Sequence, residues 1–155
     1  MRLTNRTDIA VRTLMYLAIS KDRIIPVDEI VEQTASHRSQ VVAAVQKLRK
    51  AGYIKSTVGR SGGVMLAKQP DDIDISSIVK LIETDFALAE CLEDQCPVRC
   101  GFQSACRFRT ALDGALAAFL DYLEGVTIAD LVADRDGLLR ALSNNRQRLA
   151  LETHQ

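Results

Sequence analysis

"SHRSQVVAAVQKLRKAGYIKSTVGRSGGVMLAK", residues 36–68, changes its period halfway along. In the first part Val41, Val45 and Leu48 recur at i, i+4 and i+7, one face of a helix, and Gly52 is its stop. After that glycine the chain becomes β-type. "YIKSTV" carries strand formers, "GRSGG" is a turn that tolerates positive φ, and "VMLAK" resumes apolar character. A polar-opening helix followed at once by a hairpin is the recognition helix and wing of a winged helix-turn-helix.

The residues upstream agree. In "TDIAVRTLMYLAIS", residues 7–20, Ala10, Leu14 and Leu17 share one helical face, with Val11 and Ala18 beside it. "KDRIIP" breaks the pattern and Pro26 marks a helix start. "VDEIVEQTA" then reads as a short helix with Ile30 and Val31 inward. In the recognition helix Arg38, Ser39 and Gln40 occupy the first turn, where base edges are read, with His37 at its start. Lys47 lies further along as a phosphate or solvent contact, and Arg60 at the wing tip reaches for a groove or a phosphate.

Downstream, Asp74 or Ser76 caps a short helix bearing Ile78, Val79 and Ile82. "RFRTALDGALAAFLDYLEG" has Leu112, Leu116, Phe119 and Leu123 on one stripe. So apolar a helix outside a small domain needs burial, and a second copy of itself is the simplest partner; folding back on its own domain is the alternative. Thr127 and Asp130 form a capping box, and the tail from Asp136 reads as weakly helical. The expected architecture is mainly α with a small β-hairpin wing. It comprises a winged helix-turn-helix domain (1–70), a linker helix (71–88), a cysteine loop (89–107), then a long dimerisation helix and C-terminal helices (108–155).

Formal net charge is zero, but residues 1–70 hold 12 Lys/Arg against 5 Asp/Glu while residues 71–155 hold 8 against 15. Such asymmetry suits one half meeting a polyanion. No segment reaches the roughly 20 apolar residues of a membrane span, and the charged N-terminus is unlike a secretory signal. A cytoplasmic protein is expected, with no membrane partner. No nucleophile–base grouping or phosphate-binding glycine loop is visible, so an enzyme is not expected.

All four cysteines fall in "ECLEDQCPVRCGFQSAC", residues 90–106, at Cys91, Cys96, Cys100 and Cys106. Paired C-x2-C knuckles of a structural zinc site are missing. Iron–sulfur clusters accept more variable spacings, and a reversible disulfide remains open.

In "MRLTNRTDIAVRTLMYLA", "LRKAGYI", "GRSGGVMLAK" and "FLDYLEGVTIADLV", with the cysteine loop between them, the chain resembles the Rrf-type iron–sulfur winged-helix regulators. The resemblance implies a homodimeric repressor on a two-fold double-stranded DNA operator, with a cluster near the partner's DNA-binding domain. It implies Cys91, Cys100 and Cys106 as ligands, Cys96 being an extra thiol that could replace Cys100. The histidine that completes a 2Fe–2S site in one branch is Arg109 here. The nitric-oxide-sensing branch uses an aspartate from the partner's first helix, which is Asp8 in this chain. The resemblance is nearest to that branch, so the expected cofactor is a 4Fe–4S cluster, with 2Fe–2S as the alternative, nitrosylation releasing DNA. Alternatives are an iron-responsive cluster repressor, suggested by the long gap from Cys91 to Cys100, and a metal-free thiol redox sensor. Two departures from the family pattern, "TASH" in the turn and Val58 in the wing, bear on DNA sequence preference.

Overall fold

Ala10, Leu14 and Leu17 are all buried on the first helix, α1 (Asn5–Ile19), and Ile9 and Ile19 join them. The computed structural model describes residues 3–21, 23–59, 62–93 and 100–152. α2 (Val27–Thr34) begins after Pro26, whose φ of −59° suits a helix entry although it stands at the cap rather than inside the first turn. α2 ends on Ala35, in the left-handed region at φ 48°. There Ser36 N donates to the Val31 carbonyl (3.3 Å) and Ala35 N to that of Glu32 (3.4 Å), a closure usually built on glycine. The missing glycine of "TASH" is thus met by an alanine carrying about 1 kcal/mol of Cβ strain.

α3 (Arg38–Lys50) buries Val41, Ala44, Val45 and Leu48, and Gly52 at φ 79° turns the chain out of it. β1 (Ile54–Thr57) and β2 (Gly63–Leu66) form the antiparallel hairpin, in register Ile54↔Leu66 to Thr57↔Gly63. Ile25 bridges to the other edge of β2 by exchanging backbone hydrogen bonds with Val64 at 2.8 and 2.9 Å. A Cβ on Gly63 would clash with the Ile25 carbonyl, which explains a glycine there.

After a 3-10 turn (Pro70–Asp72), Asp74 caps α4 (Ile75–Ile82) by accepting from Ser77 N at 2.7 Å. Ile75, Ile78, Val79 and Ile82 enter the same core as α1 and α3. Full burial of one such side chain contributes about 1.5–3 kcal/mol, so this helix is a core element as much as a connection. α5 (Arg107–Glu124) contrasts with it, having no buried side chain. Leu120 and Leu123 near its end lean on the core, while Leu112, Leu116 and Phe119 stay half-exposed.

Thr127 and Asp130 form the expected capping box on α6 (Ile128–Leu131). Ile128 is fully buried, and its N–H reaches the Ile73 carbonyl at 2.9 Å, stitching the two halves of the chain. The tail expected to be weakly helical is instead one continuous helix, α7 (Arg135–Glu152), because Leu138, Leu139 and Leu142 find the core to pack on.

Candidate DNA interface and cysteine loop

At about 100° per residue, the buried residues of α3 fix which line points outward. That line is Ser39, Ala43, Gln46 and Lys50, all exposed. On the wing side of this line, Arg38 donates from Nε to Asp28 Oδ1 at 2.7 Å. A groove of about 400 Å³ runs there between α3 and the hairpin, lined by Arg38, Val42, Gln46 and Arg49 with Ser56 and Thr57. His37 is the exposed N-cap of α3 and its side chain makes no capping bond. Arg60 lies outside the described residues; Val58, beside the tip, is 97% exposed.

Gln40 and Lys47 sit on the opposite flank. Gln40 Oε1 accepts from Asn5 Nδ2 at 3.3 Å, and Lys47 Nζ donates to the Ile82 carbonyl at 3.2 Å. Lys47 therefore braces α3 against α4. The residue after Ile82 is more connected still. Glu83 Oε1 accepts from Thr4 N (2.7 Å), Thr4 Oγ1 (2.9 Å) and Thr7 Oγ1 (2.6 Å). Burial would raise the Glu83 pKa, but the hydrogen bonds from Thr7 and Thr4, helped by the Lys47 charge, hold it below the ordinary value. Sequence reading missed Gln46 and Glu83. The first was within reach, since Gln46 lies seven residues after Ser39 on the same line; the second had no local signal.

The described cysteines precede α5 in the chain. Cys91 is half-buried in a 3-10 turn (Glu90–Leu92), Cys100 is exposed, and Cys106 is the half-buried N-cap of α5. These three are free thiols; Cys96 lies outside the described residues. The Cys106 side chain makes no capping bond to α5, so it leaves the first-turn N–H groups to other acceptors such as an anionic sulfur. Among the described residues no three potential ligands are gathered for a metal. The donor chemistry nevertheless fits an iron–sulfur cluster: free thiols, and a solvent-exposed carboxylate. That carboxylate, Asp8, lies on the outer face of α1 with Oδ2 3.0 Å from Arg12. Among the described residues no helix is long and apolar enough to cross a membrane.

Comparison with known proteins supplies the family. The family model described as "Iron-dependent Transcriptional regulator" (Rrf2) matches residues 3–134. The HTH-type transcriptional regulator NsrR of Shouchella clausii is 37% identical over 143 residues, covering 92% of this chain and 95% of that one. NsrR of Bacillus licheniformis is 31% identical over 144 residues, covering 92% and 100%. Among solved structures, IscR of T. potens superposes with a TM-score of 0.69 at 20% identity, covering 86% of this chain and 88% of the other, which speaks to the fold alone. With a recognition helix, a wing and a match over most of its length, the chain belongs to the Rrf2 family of DNA-binding transcriptional regulators.

Proposed function

We propose that the protein is a homodimeric, nitric-oxide-sensing repressor. In this reading a 4Fe–4S cluster is held by Cys91, Cys100 and Cys106 of one subunit and by the partner subunit's Asp8. The observation that carries it is the set of free thiols Cys91, Cys100 and Cys106, the last of them the N-cap of α5, a helix that buries none of its own side chains. The half-exposed Leu112, Leu116 and Phe119 supply an apolar seam for a second copy.

A bound cluster would supply thiolate-held iron with which nitric oxide reacts. The chain's own residues make the response. Asp8 is the weakest donor of the set, and Arg12 stands one turn away to receive its carboxylate when it leaves. α1 packs directly on α3, so release of Asp8 alters how α3 is held. Ser39, Ala43, Gln46 and Lys50 would face the major groove, with His37 and Arg38 at its edge. Two such helices must sit about 34 Å apart on a two-fold site, and a bias of a few kcal/mol toward that spacing suffices for a switch.

The test is native mass spectrometry of anaerobically purified protein, before and after nitric oxide and, separately, after an iron chelator. A dimer with four irons and four sulfides per subunit that nitric oxide converts and chelator leaves intact is expected. Iron-responsive regulation is the second reading, favoured by the long gap from Cys91 to Cys100. Ready loss of iron to chelator would select it, and iron-free protein would leave a thiol switch.

A further inference from the structure

Glu83 terminates α4. A carboxylate at a helix C-terminus meets the negative end of that helix and is disfavoured there. The structure resolves this by handing the carboxylate to the positive end of another helix. Thr4, the N-cap of α1, gives it both its backbone N–H and its hydroxyl, and the buried Thr7 adds a third donor. Hydrogen bonds to an ionised acceptor are roughly twice as strong as neutral ones. One residue earlier the Ile82 carbonyl holds Lys47 of α3, and on the same flank of α3 Gln40 holds Asn5 of α1. The start of α1, the end of α4 and one flank of the recognition helix thus meet at a single joint. Two lines of chain leave it: residues 84–106 into the cysteine loop, and α1 onward from Thr7 to Asp8.

We infer that Glu83 is a positioning residue for DNA recognition, setting the pose of α3 and passing the state of the cysteine loop to it. The second half of this inference rests on the cluster reading above. In this role Glu83 acts through Thr4, Thr7 and Lys47.

The experiment uses full-length protein purified without oxygen, with two fluorescent duplexes of equal length. One is enriched from a random pool by the wild-type protein, and the other is an unselected sequence. Glu83→Ala is expected to bind the enriched duplex about tenfold more weakly, a coupling loss of ordinary size. Its binding to the unselected duplex, its dimer mass and its cluster absorption should match wild type, and removing the cluster should no longer change its affinity. Glu83→Gln, which keeps an acceptor for Thr7, should recover part of the loss. Thr7→Val removes one donor at constant shape and should shift the same ratio in the same direction, so the answer survives a poorly folding alanine variant. Wild-type affinity in both Glu83→Ala and Thr7→Val, or an equal fall on both duplexes, overturns the inference. If wild type itself binds alike with and without cluster, the cluster reading fails, and the affinity ratio still decides whether Glu83 positions α3.

Discussion

Arg135 donates from Nε to the carbonyl oxygen of Ile19 at 2.8 Å, so the first residue of α7 closes the last turn of α1 across 116 positions of sequence. The C-terminal carbonyls of a helix lack intrahelical partners, and a cation is the best donor for them. Arg135→Ala should lower unfolding free energy by about 1.5–3 kcal/mol, the range for hydrogen bonds to charged groups. Urea titration followed by circular dichroism measures it, and a loss below about 0.5 kcal/mol would mean that water replaces the guanidinium there.

Ala35 points the other way. Its left-handed backbone makes Ala35→Gly a stabilising change of about 1 kcal/mol, equivalent to a rise in Tm of about 2–4 °C. Gly63→Ala should do the opposite, since its methyl group meets the Ile25 carbonyl. Thermal melts of the pair check both signs, and destabilisation by Ala35→Gly would show that the Cβ strain is already relaxed.

Stability should fall in acid partly through Glu83. Its folded pKa lies below the ordinary 4.5, so its contribution is fully present above the unfolded value and disappears as pH drops through the folded one. Urea midpoints measured from about pH 6 to about pH 3.5 should fall more steeply for wild type than for Glu83→Gln, which has no proton to bind. Parallel curves would remove Glu83 from the acid response.

Gln46 and Lys50 share the outward line of α3 but should behave differently on DNA. Loss of an amide that reads a base costs about 1–3 kcal/mol on the preferred sequence. Loss of a phosphate-bound lysine weakens all sequences and lowers the salt slope by about 1. Gln46→Ala is therefore expected to flatten discrimination, and Lys50→Ala to leave discrimination intact. Competition binding at two salt concentrations separates them.

Cys91→Ala should yield protein without the brown absorption of a cluster. Asp8→Ala should keep a cluster with an altered spectrum and an altered response to nitric oxide. An Asp8→Ala spectrum and nitric-oxide titration identical to wild type would assign the carboxylate to its ion pair with Arg12 alone.

The recognition helix and wing were legible because their signals are local. A 3.6-residue apolar period, Gly52 and a glycine-rich turn act within a few residues of themselves, and the Thr127–Asp130 box spans one turn. The cysteine loop was legible as a concentration of one reactive residue type. Nothing local distinguishes Glu83 from Glu93, or Lys47 from Lys50. Glu83 gains its role from Thr7, 76 positions away, and Lys47 from Ile82, 35 positions away. The tail shows the same limit, because its polar sequence gives a weak helical pattern that three leucines against a distant core are enough to fix. Sequence by itself determined the elements whose hydrogen bonds close within one turn or one hairpin. Only the tertiary structure decided which charges meet, because the chain must fold before residues so far apart can come within hydrogen-bonding distance.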